Sequence, residues 1–198
     1  TMITTHVPGT ASLPVFTVGV DANISSPTTY CIVAAGGTMI ESHGTGVLTS
    51  NFVVISDVDA PTSVTHVDFI DNYLIATNGN SLFYFSDVSN PTSWSASSFA
   101  TAMRNPDNIQ ALKVFRRQIF LIGNESTEIW ESDGSPFAPN PGGYIDAGTI
   151  AKHSVISTPE GIYWLDNRRH FVRFNNELEK ISTPFDREIA KYADVSDC

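Results

Sequence analysis

The sequence predicts an all-β chain, a β-propeller-like repeat of four-stranded antiparallel blades with a short C-terminal helix. A strand-turn-strand phrase recurs about every 42 to 46 residues, close to the length of one propeller blade. Ser-Asp and Pro turns punctuate the intervals between these phrases. At 41% hydrophobic and 11% aromatic over 198 residues, the chain can bury a sizeable core. Residues 1–198 are therefore expected to form a single propeller domain, or a propeller fragment, of about four blade-like repeats.

The first phrase runs from Ile32 to Ile40 and the second from Leu74 to Phe85, each with a Gly-containing turn between two apolar runs. The third spans Ile119 to Trp130 and the fourth Ile162 to Phe174. Ile75, Phe83, Phe120, Ile129, Tyr163 and Val172 are the expected core positions. Ser56-Asp57-Val58-Asp59-Ala60-Pro61 is echoed by Ser86-Asp87-Val88-Ser89-Asn90-Pro91. Their Asp and Ser side chains can bond nearby amides while Pro stops the strand, so both read as blade-edge turns. Pro136 to Gly143 holds three prolines and two glycines in eight residues and is expected to be an exposed irregular loop. Near the C-terminus, Thr183 as N-cap, Pro184 at the first helical position and Asp186 three residues after the cap predict a helix. Phe185, Ile189 and Tyr192 form its apolar stripe.

Charge is unevenly distributed. Every Lys and Arg lies at or after Arg104, while Asp21, Glu41, Asp57, Asp59, Asp68, Asp71 and Asp87 precede it. The first half cannot grip phosphates, because that affinity needs Lys and Arg to displace counterions. No apolar run reaches the roughly 18 residues of a membrane span and no leader pattern opens the chain, so a soluble protein without a membrane anchor is expected. Cys31 and Cys198 lack metal-type spacing and are expected as separate thiols. Asp57 and Asp59 have no closing Glu of the kind a calcium loop requires.

Catalytic patterns are missing from the sequence. It contains no Gly-x-Ser-x-Gly elbow, His-Glu-x-x-His or P-loop. His6, His43, His66, His153 and His170 are scattered, and Glu125, Glu128 and Glu131 fall three apart around a strand, which does not pair an acid with a base. No enzyme activity, cofactor or metal is expected. Arg116-Arg117 and Arg168-Arg169 are basic doublets beside hairpins, read either as a solvated edge or as a phosphate or partner contact. Trp94, Trp130, Tyr144 and Trp164 would be the stacking residues of the alternative function, a carbohydrate- or receptor-binding propeller. Trp130 and Trp164, however, sit inside apolar strands.

The stretch Asn105-Pro106-Asp107-Asn108-Ile109 precedes Phe115-Arg116-Arg117-Gln118-Ile119-Phe120-Leu121-Ile122-Gly123 and Ser126-Thr127-Glu128-Ile129-Trp130. In that order it resembles the packaged-DNA stabilisation proteins of short-tailed bacteriophages. Gly148-x-x-Ala151-x-x-Ser154 before Gly161-Ile162-Tyr163-Trp164-Leu165, and Ile181-Ser182-Thr183, are similar to the same family. The resemblance implies a virion structural protein of the tail hub or nozzle. Such a protein attaches below the portal and its adaptor, closes the filled head and retains the packaged DNA. It implies a homo-oligomeric ring contacting portal, adaptor and other tail proteins, with genomic DNA only as passing cargo. Its location would be the phage tail, after assembly in the bacterial cytoplasm. The expected partner contacts are Arg116, Arg117, Arg168 and Arg169 with Pro139 and Asn140 of the loop.

Overall fold

The computed structural model describes residues 55–192 and 194–196, apart from positions 103, 105 and 106, with the backbone of three strands between residues 30 and 54. Those strands, β1 (Tyr30–Val33), β2 (Met39–Ser42) and β3 (Phe52–Val54), form an antiparallel sheet. Three four-stranded antiparallel blades follow. Blade I contains β4 (His66–Ile70), β5 (Tyr73–Thr77), β6 (Leu82–Asp87) and β7 (Asn90–Thr101). Blade II contains β8 (Ala111–Phe115), β9 (Gln118–Ile122), β10 (Thr127–Ser132) and β11 (Phe137–Ile145). Blade III contains β12 (Ile156–Thr158), β13 (Gly161–Leu165), β14 (Phe171–Asn175) and β15 (Glu177–Lys180). Each of the last three phrases read from the sequence thus supplies the two middle strands of a blade.

Strand order is sequential within every blade, so the chain runs up and down from the inner strand outwards. The inner strands β4 and β12 both lie against β8. This meander gives each blade two distinct ends. The hairpin end carries the turns β4–β5, β8–β9 and β12–β13, whereas the junction end carries β5–β6, β9–β10 and β13–β14 together with the inter-blade linkers.

Period-two alternation sends successive side chains to opposite faces, and blade II buries both. Leu112, Ile119, Leu121 and Trp130 pack on Ile70, Ile75, Phe83 and Phe85 of blade I. From the other face, Phe115, Phe120, Ile122 and Ile129 pack on Ile162, Trp164, Val172 and Phe174 of blade III. Phe83–Trp130 and Phe120–Phe174 meet edge to face with centroids 5.2 and 5.5 Å apart, an arrangement the ring quadrupoles favour. Of the expected core, Ile75, Phe83, Phe120, Ile129 and Val172 are buried, but Tyr163 is only half-buried. Tyr163 lies on the face of blade III that looks away from blade II.

Two local expectations are corrected. Pro136 to Gly143 is not an irregular loop: Phe137–Ile145 is β11, paired with β10 and interrupted by a register shift between Glu128 and Trp130. β11 is an edge strand, where Pro costs no ladder bond, and Phe137 anchors it in the core between blades I and II. The C-terminal helix α1 covers only Asp186–Ile189, with Phe185 at the N-cap and no side-chain cap bond. Ser182 donates to Asp186 across 2.7 Å in place of the expected Thr183 cap. Ile189 packs beside Leu165 and Val195, whereas Phe185 and Tyr192 are exposed. Cys31 and Cys198, His6 and His43 lie outside the residues whose side chains are described.

Phe120 is fully buried between two blades. Phe120→Ala is expected to destabilise the chain by about 3–5 kcal/mol through the cavity it leaves, read as a lower urea midpoint in equilibrium unfolding.

Candidate functional site

The residues that carry the family resemblance converge at the junction end. Asp107, in the linker from blade I, aims its carboxylate at the β9–β10 turn and accepts three backbone amides: Asn124 at 2.8 Å, Glu125 at 2.7 Å and Ser126 at 3.1 Å. Turn amides have no ladder partner, so one carboxylate satisfies a group that would otherwise depend on water. Close approach requires Gly123, because a Cβ there would fall 2.3 Å from the Asp107 carboxylate. Gly148 is required similarly, since its Cβ would fall 2.3 Å from the Asn124 carbonyl. The Gly148 carbonyl accepts the buried Trp164 indole N–H at 3.1 Å, and the Thr149 amide donates to the Gly123 carbonyl at 2.8 Å. Thr149 Oγ1 donates to the Leu165 carbonyl at 2.7 Å, and Ser154 Oγ accepts the Leu165 amide at 3.0 Å. These side chains rivet blade II to blade III.

Glu128 is buried and both of its oxygens are used, accepting from the Arg104 amide at 2.6 Å and the Trp130 indole at 3.2 Å. Beside Asp107 and Glu128 lies a cleft of about 10 Å³, room for about one water and none for a substrate. Glu125 is exposed in the turn and accepts from Asn167 of blade III at 2.8 Å. The three glutamates are therefore dispersed, as their spacing predicts.

The inner strands bring together groups far apart in sequence. His66, opening β4, places Nε2 3.2 Å from the Lys152 carbonyl and Nδ1 3.3 Å from Thr65 Oγ1, with its ring 6.0 Å from that of His153. Burial lowers the His66 pKa; its bond to the Lys152 carbonyl opposes this, while the charges of His153, Lys152 and Lys113 add to it. One strand pair along, Asp68 accepts the Val114 amide at 2.8 Å and the Lys113 ammonium at 2.9 Å. Sequence reading kept His66 and His153 apart because 86 intervening residues conceal the contact.

The two arginine doublets lie at opposite ends of the blades. Arg116 and Arg117 form the two-residue β8–β9 turn at the hairpin end, with φ of 50° and 60°, as a type I′ hairpin requires. Asp71 and Asn72 make the equivalent turn of blade I, with φ of 47° and 67°. Arg117 grips Asp71 through two bonds of 2.9 Å. This pairing holds the Asp71 carboxyl below its usual range. The Arg116 guanidinium covers the Phe115 ring, 4.8 Å from its centroid, and the residue is exposed. Arg168 and Arg169 occupy the β13–β14 turn at the junction end, where Arg168 bonds Asp146 at 3.0 Å and Arg169 bonds the Tyr192 carbonyl at 2.7 Å. Pro139 is exposed on the β11 edge, and Asn140 bonds Glu131 at 3.0 Å and the Gly142 amide at 2.9 Å. Arg104 braces the same edge, donating to the Pro141 carbonyl at 2.8 Å.

Trp94, Trp130 and Trp164 are buried, and their indole N–H groups donate to Pro91, Glu128 and Gly148. They are blade core rather than a stacking platform; Tyr144, 39% exposed, is the one of the four at the surface.

Stacked four-stranded meanders riveted through their linkers define a β-propeller protein. The solved structure described as YCF48 bound to D1 peptide shares this fold, with a TM-score of 0.53 and 12% identity. The match covers 77% of this chain and 49% of that one, so it takes in about half of the YCF48 chain. No curated protein matches the sequence. Residues 14–196 match the family described as bacteriophage P22 Gp10, beta-propeller, and the chain belongs to that phage stabilisation family. It is a phage structural protein, and the residues expected from that resemblance are the rivets of the fold.

Asp107→Ala strands three turn amides and is expected to cost about 1–3 kcal/mol, measured as a shift in the urea midpoint. The His66 contribution is pH-dependent. Between the ordinary value of 6.5 and its lower folded value, the unfolded chain binds a proton that the folded chain does not. Stability is therefore complete above that window and falls as pH drops through it. Melting temperatures from about pH 7.5 to about pH 5 should show this slope, and His66→Gln should flatten it.

Proposed function

We propose that this chain is a propeller module of a tail hub or nozzle component, attached below the portal and adaptor, where it closes the filled head and retains packaged DNA. Membership of the P22 Gp10 family across residues 14–196 carries the reading. On this reading the protein sits in the virion after assembly in the host cytoplasm, in a ring of copies, and acts without catalysis. Residues 1–198 serve as one propeller domain or part of one.

Retention is steric. The leading half has acids and no Lys or Arg, and the trailing arginines are largely engaged: Arg117 by Asp71, Arg168 by Asp146 and Arg169 by Tyr192. A surface so arranged lets DNA pass without holding its phosphates. Contact with protein neighbours falls to the hairpin end and the β11 edge. Arg116 is the foremost contact, supported by Arg117, with Pro139 and Asn140 on the rim. A left-handed position costs a side-chain-bearing residue about 1–2 kcal/mol, and Arg116 accepts it while remaining exposed. Such a local conflict is expected where an exposed group is kept for binding.

Arg116→Glu is expected to leave the melting temperature nearly unchanged and weaken co-sedimentation with the portal-adaptor complex about tenfold or more. Fluorescence anisotropy with duplex DNA at physiological salt should show no submicromolar binding by the chain alone. Tight, steeply salt-dependent binding would overturn the steric account.

A further inference from the structure

The contact between β4 and the linker before blade III is short of negative charge. His66 is half-buried at the start of β4, its ring 6.0 Å from that of His153 and its Nε2 3.2 Å from the Lys152 carbonyl. Lys113 of β8 adds its charge to those of Lys152 and His153 around the ring. The one acid at hand on β4, Asp68, is already engaged by the Lys113 ammonium at 2.9 Å and the Val114 amide at 2.8 Å. Among the described residues no ion pair joins Lys152, His153 or His66 to a carboxylate. Acids are not scarce in a chain with 21 Asp and Glu against 11 Lys and Arg; the fold places them elsewhere.

The hydrogen bonds of His66 call for the charge state that its surroundings oppose. The Lys152 carbonyl can only accept. Thr65 Oγ1 donates its hydrogen to the Thr77 carbonyl at 3.2 Å, so it presents lone pairs to His66 Nδ1, 3.3 Å away. Two acceptors therefore flank one ring, and only an imidazolium donates from both nitrogens. Burial and three neighbouring basic groups disfavour that imidazolium. A dianion at the cluster removes the conflict. It offsets the charges of Lys152 and His153 and allows His66 to carry the second proton that the two acceptors are placed to receive. Lys152 and His153 are exposed, so such a ligand reaches them from solvent.

We infer that Lys152, His153 and His66 form a binding site for a free tetrahedral oxyanion of the sulfate or phosphate type, which ties the linker before β12 to β4. A small dianion suits the site better than a nucleic-acid strand. The leading half has no Lys or Arg to follow a backbone away from it, and Arg117 and Arg168 are engaged by Asp71 and Asp146. The site goes beyond the tail reading and is independent of it.

Isothermal titration of the full chain with sodium sulfate, a dianion throughout the range used, tests this at constant ionic strength in chloride. One site is expected, with an association constant about tenfold or more higher at about pH 5.5 than at about pH 7.5, because anion binding and histidine protonation assist each other. Lys152→Ala, at an exposed position, should leave the circular dichroism spectrum unchanged and weaken sulfate binding about tenfold at the lower pH. His66→Gln combined with His153→Gln should remove most of the pH dependence. Should that pair fail to fold, the pH profile of the native chain and the Lys152→Ala comparison decide the matter. A duplex oligonucleotide at the same total phosphate concentration should not displace the sulfate. No saturable binding at the lower pH, an affinity independent of pH, an affinity indifferent to Lys152→Ala, or displacement by the duplex overturns the inference.

Discussion

A β-blade has two apolar faces, and it is stable only when both are covered. Blade II meets that requirement inside the chain: Leu112, Ile119 and Leu121 face blade I while Phe115, Phe120 and Ile122 face blade III. Much else in the architecture follows from it. Sequential strand order, short hairpins and linkers gathered at one end all serve to stack sheets face to face at a constant register. The same requirement leaves the outer face of blade III, with Ile156 and Phe171, as a surface whose chemistry is that of an interior.

Stacking alone would allow blades to slide, since apolar contact is non-directional. Direction comes from polar groups that cross between blades. Asp68 reaches the Val114 amide and Lys113, Asp71 clasps Arg117, and Asn167 reaches Glu125. Within the junction end, Asp107, Gly123 and Gly148 permit backbones to approach so closely that no Cβ fits. These residues are also the ones by which the chain resembles its family. Membership of the P22 Gp10 family is thus written in the joints of the scaffold rather than in a reactive site, in keeping with a structural role in the virion.

The distribution of charge follows the same economy. Trailing-half cations are drawn into joints: Lys113 and Arg117 hold blade I, Arg168 holds the linker before blade III, and Arg169 holds the C-terminal tail. Arg116 stands apart, stacked on Phe115 at the hairpin end. The histidine contact near the inner strands differs in kind, because His66 faces His153, Lys152 and Lys113 where burial already disfavours its charged form. Its effect is a pH-dependent weakness where β4 approaches the segment before β12.

By itself the sequence determined the strands, their period and the family. The unbroken apolar runs Ile119–Ile122 and Ile162–Leu165 mark strands with an apolar side chain on both pleat faces, and Gly or Ser-Asp turns mark the reversals. Those signals are local, within reach of one or two strands. Tertiary structure decided what depends on distant partners. Pro139 and Pro141 argued against a strand until pairing with β10 at a sheet edge made one possible. Thr183 caps nothing, because the helix opens at Phe185 and Ser182 pairs with the Asp186 side chain, and Tyr163 is half-buried because it lies on the face of blade III that looks away from blade II. Arg168 and Arg169, indistinguishable from Arg116 and Arg117 as doublets, were assigned to the opposite end by strand direction alone. Ordinary sequence patterns record which face a residue prefers, whereas the neighbour covering that face is fixed only when the blades stack.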